Sequence, residues 1–512
     1  MPSVLDQLPD DVESLKALVV DHAARNEQLT EENQRYQSRV VLLQEQLTLA
    51  LAKRFASRSE QLSPDQIRLF DEAESTSTTD LGEETDNAVE VALHRRSKGS
   101  RKPLPSCLPR IDFVHELPEG ERRCDHDGQA LKEINEVVSE QLDIIPATIQ
   151  VIRHIRKQYA CDCGQCIKTA PIPKSMASPG LLAHVTVSKY VDALPLYRQE
   201  AILKRIGIEL PRSTLANWMI RAGTLVQPLI NLMRDQLLDY DVIQMDETPV
   251  QVLKEAGRRA QSKSYLWVQR GGPPAGRVIL YDYDASRSGA VPQRLLAGYS
   301  GYLQTDGYEG YNAVVAGSGL KQLGCMAHAR RRFDEAVKAQ AKPQRGGKAW
   351  RGLSLIQKLY RVEKRARDMT PDERYAYRLE HATPVFEEMR SWLDASLTQV
   401  PPKGALGKAL NYLHEQWDKL TRYLEDGRLE IDNNLCENAI RPFVTGRKNW
   451  LFSDSVAGVK SSANLYSLIE TAKANGLEPY AYLREVFTNL PLAASVQDVE
   501  ALLPGNNDAK QI

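Results

Sequence analysis

The stretch LEIDNNLCENAIRPF, Leu429–Phe443, sets the carboxylates of Glu430, Asp432 and Glu437 among three asparagines. Acids at this density can hold a divalent metal. A local explanation competes. Asn434 followed three residues later by Glu437 has the spacing of a capping box, in which both side chains satisfy backbone donors at a helix start. Within the stretch, Asp432 rivals Glu437 and is expected to cap or orient the segment instead. Elsewhere, Asp246 in DVIQMDETPVQVL and Asp306 in GYLQTDGYEGYN stand in apolar runs of strand character. Glu247 follows Asp246 directly and should point to the opposite face of its strand.

The elements that must bring these acids together follow from the pattern around them. DVIQMDETPVQVL, SYLWVQRG and RVILYDYDAS read as three strands, with Gly271-Gly272-Pro273-Pro274 turning between the second and third. A short helix (GAVPQRLLAGY) leads to a fourth strand ending on Asp306. LKQLGCMAHARRRFDEAVKA then supplies another short strand and a basic helix. Three strands, a helix, an acid-bearing strand and more helix is the order of the ribonuclease-H-like α/β fold. There the first and fourth strands are neighbours, so Asp246 and Asp306 converge. A helix packed on the sheet must bring the third acid. Glu437 lies 131 residues beyond Asp306, with the charged, helical 340–430 block inserted between. Cys325 and His328 are spaced like a ligand pair, but no second pair is nearby, so they read as structural.

The remaining chain is modular. With 512 residues, several domains are expected. No apolar run is long enough to span a membrane, and the acidic N-terminus lacks an apolar signal core, so a cytoplasmic location on DNA is expected. The formal net charge is −1, but eight acids and no Lys or Arg in residues 71–90 precede the basic HRRSKGSRKPLP. Within it KGSRKP, with Lys98, Arg101 and Lys102, resembles an AT-hook for narrow minor grooves, and Arg95 and Arg96 extend the basic stretch; a solvated basic run is the alternative. Leu15, His22, Leu29, Tyr36, Leu43 and Ala50 recur every seven residues. Val19, Asn26, Asn33, Val40 and Leu47 form a second seam, giving the pattern of a parallel coiled coil. Cys124, His126 and Asp127 precede a β-rich stretch that ends in Cys161, Cys163 and Cys166, as in a zinc ribbon. Asp127 stands where the first knuckle wants its second Cys, so a metal-free remnant also fits. In LYRQEAILKRIGIELPRSTLANWMIRAG, a turn at Gly207 separates two helices, the second capped by Ser213 or Thr214. Arg212, Ser213 and Asn217 then sit as a recognition helix meets phosphate and base edges; a plain helical hairpin is the alternative. Arg330, Arg331, Arg441, Arg447 and Lys448 suit phosphate contact, and Trp450 suits base stacking. A solvated basic loop over a packed Trp is the alternative for Arg447, Lys448 and Trp450, and pairing with Glu437 for Arg441.

QMDETPVQVL, LQTDGYEGYN, CMAHARRRF, DNNLCENAIRPFVTGRKNWLF and YSLIETAKANGLEPYAYL, in this order, resemble the insertion sequence 66 family of bacterial DDE transposases. The resemblance covers nearly the whole chain and implies that Asp246, Asp306 and Glu437 are the catalytic triad. It also implies companion proteins encoded by the same element. The expected architecture is multidomain α/β: a leucine-zipper coiled coil (1–60), an acidic then basic linker (61–110), a zinc-finger-like module (111–175), a helical, helix-turn-helix-like DNA-binding region (176–238), and a ribonuclease-H-like catalytic core in two parts (239–338 and 429–454) around an α-helical insertion (339–428), with a helical tail (455–512). The implied chemistry is phosphoryl transfer with two divalent ions, Mg²⁺ or Mn²⁺, held by the triad. Asp246 would be shared between the ions, with Zn²⁺ in the finger. The expected partners are the element's terminal inverted repeats, target DNA and further copies of the chain. A nuclease that cuts without joining, or a dimeric zinc-and-zipper DNA-binding regulator, are the rival readings.

Overall fold

The structure, a computed structural model, describes residues 11–55, 152–153, 158–160, 167–169, 177–340 and 346–506. Cys124, His126, Asp127, Cys161, Cys163 and Cys166, with the basic Arg95, Arg96, Lys98, Arg101 and Lys102, lie outside the described residues. Of the unit spanning 77–174, the described elements are β1 (Gln158–Ala160) and β2 (Ile167–Thr169), an antiparallel pair.

The other unit is built on a mixed sheet. Its strands are β3 (Val242–Lys254), β4 (Lys263–Gly271), β5 (Val278–Asp284), β6 (Tyr302–Gln304), β7 (Lys321–Leu323) and β8 (Ser453–Ser455). They lie in the order β5-β4-β3-β6-β7, with β8 alongside the far end of β3. β3, β4 and β5 form an antiparallel meander, and β6 and β7 run parallel to β3. Leu266, Trp267 and Val268 of β4 are successive and all buried, as a strand covered on both faces requires. β5 is the open edge. Helix Val456–Ala474 closes it with side chains: Ser467 accepts from the Tyr281 amide, and Thr471 bridges the amide and carbonyl of Ile279. That helix ends where Gly476 takes φ +76°, the stop its sequence predicts.

One continuous apolar core joins the sheet to the helices of 179–238, to helix Asn434–Trp450 and to the C-terminal helices. Helix Arg212–Leu225 comes close to helix Val456–Ala474 at Gly223, where a Cβ would stand 2.5 Å from that of Ser461. Gly223→Val is therefore expected to cost about 1–3 kcal/mol through overpacking, read as a lowered thermal midpoint. A second core belongs to the inserted helices between 348 and 421. Leu355, Leu359, Met389, Leu393 and Leu410 pack there on Met326 and Phe333 of helix Met326–Lys338 and on Leu429 and Ile431. Inside it the fully buried Arg378 is held by Glu363 at 2.6 and 3.0 Å and by the carbonyls of Tyr423 and Asp426.

The heptad segment is one helix, Val12–Phe55. Its Glu45 accepts from the Ala405 amide at the start of an inserted helix. The seam residues stay open, with Val19 67% and Leu29 55% exposed. No helix of the described residues is long and apolar enough to cross a membrane.

Candidate active site

Strand register brings the first two acids together. β3 and β6 pair in parallel with Gln244 opposite Gln304, and Asp246 and Asp306 each lie two residues further on. Because strand side chains alternate, each Asp is expected on the face of its Gln. The Gln244 amide donates to Gln304 Oε1 at 2.7 Å on that face. The same glutamines reach the segment carrying the third acid: Gln244 donates to the Asp432 carbonyl and Gln304 to that of Glu430, at 3.3 and 2.8 Å. The strand expected to end on Asp306 ends at Gln304, although the Thr305 amide still bonds Leu323. Gly307, at φ +91°, turns the chain away, and the Asp306 carboxylate accepts from the Tyr308 amide.

Helix Asn434–Trp450 is pinned over this face by its first turn. Asn433 donates to the Met245 carbonyl, and the Cys436 thiol lies against the carbonyls of Gln244 and Val268. The capping box is not formed. Asn434 is already helical, and Asn433 at the cap position makes no side-chain cap bond. Asp432 binds the Asn434 amide and side chain and accepts from the buried Tyr360 hydroxyl at 2.7 Å. Glu437 is thereby released from capping, and its carboxylate turns toward helix Met326–Lys338. There His328 Nδ1 lies 3.8 Å from its Oε1, and Arg331 4.0 Å from its Oε2.

The three carboxylates share one electrostatic environment. Burial first, then the charges of Glu247, Asp306 and Glu437, push the Asp246 carboxyl up to about 8. A cation would relieve that repulsion. Glu437 Oε1 is buried and has no hydrogen-bond partner among the described residues, nor has His328 Nδ1. Among the described residues, the donor atoms that lie within 4.8 Å of one another are those of Cys325, His328 and Glu437, while Asp306 and Glu437 reach Asp246 as charges.

Although Asp306 is among the charges that act on it, Glu247, next to Asp246 on β3, has partners of its own. Its side chain is 1% exposed and accepts from Arg287 at 2.6 Å and Tyr311 at 2.8 Å. Tyr308 stacks under the Arg287 guanidinium at 4.0 Å. Both tyrosines follow Asp306, so Glu247 and Arg287 tie its loop to β3.

The basic candidates divide. Arg212, Ser213 and Asn217 are exposed on helix Arg212–Leu225. Neither Ser213 nor Thr214 caps it, because Pro211 holds the cap position and Glu200 accepts from the Arg212 amide. Arg441 and Lys448 are exposed and Arg330 is half-buried. Arg447 instead bonds Thr248 and the Pro249 carbonyl of β3. Trp450 packs against the core with the Lys189 ammonium over its ring at 4.2 Å. Sequence reasoning set His328 aside as structural, and it did not single out the glutamine pair. The signal for that pair was the repeated Gln-x-Asp of QMD and QTD.

Residues 174–461 match the family described as Transposase IS66 family. This chain belongs to it. Residues 467–504 match the IS66 C-terminal element, 121–164 the zinc-finger binding domain of transposase IS66, and 42–112 a segment described as Transposase C of IS166 homeodomain. The uncharacterized protein y4jD of Sinorhizobium fredii (strain NBRC 101917 / NGR234) is 32% identical over 99% of this chain and 98% of its own length. Protein y4qI of the same organism is 30% identical over 98% and 97%. The family supports DNA as the partner and fits the use of metal.

Proposed function

We propose that this IS66-family transposase binds the terminal inverted repeats of its element, cleaves the strands there and joins the freed 3′ ends to target DNA. What supports the reading is the parallel pairing of β3 with β6, two residues before Asp246 and Asp306, in a sheet of β5-β4-β3-β6-β7 order, together with the charges of Asp306 and Glu437 that act on Asp246. That order supports a ribonuclease-H-like core, split by the inserted helices. Two divalent ions, Mg²⁺ or Mn²⁺, supply an activated attacking oxygen and a stabilised leaving oxygen. Asp246 on β3, Asp306 and Glu437 would be the carboxylates that hold the ions. The Gln244–Gln304 pair holds the two strands and the segment before the helix in one register. Tyr412 donates to the Asp306 carbonyl and Tyr360 to Asp432, so the insertion buttresses both sides of the site. Arg331, Arg441 and Lys448 lie on helices that bear on the site or lead from it, and they supply phosphate contacts. The exposed Arg212, Ser213 and Asn217 read the repeat. Any Zn²⁺ of the finger would take its ligands from Cys124, His126, Asp127, Cys161, Cys163 and Cys166, and small proteins of the same element assist.

The decisive experiment incubates the protein with Mg²⁺, a supercoiled donor bearing the inverted repeats and a target plasmid. Joined products support the reading, cleavage without joining makes the chain a nuclease, and neither product leaves a DNA-binding regulator. The open seams of helix Val12–Phe55 pair two chains in parallel, which gives one active site for each element end. Sedimentation at micromolar concentration is expected to show a dimer, and Leu29→Asp with Leu43→Asp a monomer. A monomeric parent protein would reject this pairing.

A further inference from the structure

We infer that His328 is a ligand of the divalent cation held by Glu437, so that this position of the site has a nitrogen donor besides its carboxylates. The inference rests on the reading of Glu437 as a metal ligand.

His328 lies in the first turn of helix Met326–Lys338, on the side that faces helix Asn434–Trp450. Its Nδ1 and Glu437 Oε1 are both buried, both lack a hydrogen-bond partner among the described residues, and stand 3.8 Å apart. That gap is too long for a hydrogen bond. Two donors each about 2.1 Å from one ion lie roughly 3–4 Å apart, so the gap matches a shared cation. Facing orphaned atoms are costly unless something between them satisfies both.

Two other partners were available to Glu437, and neither meets this oxygen. Arg331 approaches the other oxygen, Oε2, at 4.0 Å, and its own side chain is 46% exposed. Cys325 completes a Cys325–His328–Glu437 cluster whose donor atoms all lie within 4.8 Å. Its sulfur is fully buried and already accepts from the Asn433 amide at 3.3 Å. Cys325 thus anchors the start of the Glu437 helix and leaves His328 to face the ion. The backbone ties the two helices at the same place, since the Met326 amide donates to the Ile431 carbonyl. An imidazole beside carboxylates favours Mn²⁺ relative to an all-oxygen set.

The test uses the full-length protein with Mn²⁺ alone as the probe and pulsed electron paramagnetic resonance as the readout, independent of activity. The expected result is electron-spin-echo modulation from a directly bound ¹⁴N. It should vanish in His328→Ala and in His328→Gln, persist in the exposed-surface control His184→Gln, and accompany an approximately tenfold weaker Mn²⁺ affinity in the His328 variants. A wild-type spectrum without nitrogen modulation, in protein whose Mn²⁺ binding is lost in Glu437→Gln, overturns the inference and leaves the triad reading standing. Modulation that survives both His328 substitutions overturns it as well. Mn²⁺ binding that is indifferent to Glu437→Gln overturns the triad reading underneath.

Discussion

Glu437→Gln is expected to leave folding and binding to the inverted repeats unchanged while lowering strand cleavage about a thousandfold or more, a barrier increase of about 4 kcal/mol. The substitution keeps the size and shape of the side chain and removes its charge. Glu437 makes no capping bond, and its Oε1 has no partner among the described residues, so the fold loses little. An amide is a poor ligand for a hard cation, so the metal site loses most of what this helix supplies. Band-shift titration with repeat DNA, thermal unfolding and a supercoiled-donor assay with Mg²⁺ read the three quantities separately. Cleavage within tenfold of the parent in a folded, DNA-binding variant would remove Glu437 from the triad.

Glu247→Ala is expected to act differently, through stability and geometry together. The carboxylate is buried and meets Arg287 and Tyr311. Burial raises the Glu247 carboxyl pKa, while Tyr311 and Arg287 favour its charged form. Removing it strands the fully buried Tyr311 hydroxyl and leaves Arg287 without its anion. Because Arg287 is 42% exposed, the main cost is the stranded Tyr311 hydroxyl, about 1–3 kcal/mol, lowering the thermal midpoint by several degrees. The loop that carries Asp306 is then held less firmly, and a misplacement of about 1 Å at a reacting centre costs about a hundredfold in rate. Tyr311→Phe should move both quantities in the same direction and by less. Parent-level cleavage in folded Glu247→Ala would show that the loop is held by other contacts, with Tyr412 the first to examine.

The strands were legible because apolar alternation and β-branched runs are local signals, and observed β3, β4 and β5 lie within a residue or two of their sequence limits. For Glu247 the sequence offered only alternation, which says nothing of the Arg287 and Tyr311 that hold it. The capping box failed because spacing states what two side chains can reach and not what else competes for them. Here Asp432 takes the Asn434 amide, braced by a tyrosine from the insertion, more than seventy residues earlier in the chain. Trp450 and Arg447 had the residue types of a DNA contact, but one packs on the core beneath Lys189 and the other is bonded to β3.

By itself, then, the sequence determined the acids, the strands and helices that bear them, and the family in which such acids act together. All of these follow from local periodicity or from long ordered motifs. Only the tertiary structure decided which side chains meet. The Gln244–Gln304 bond sets the level of Asp246 against Asp306, and the Glu437 helix is hung from the same glutamines. His328 is brought to Glu437 from a helix about a hundred residues away in sequence. The physical reason is that hydrogen bonds and charge act over a few ångströms, whereas the residues they join lie sixty to nearly two hundred positions apart, so the register of the folded sheet must first bring them within reach.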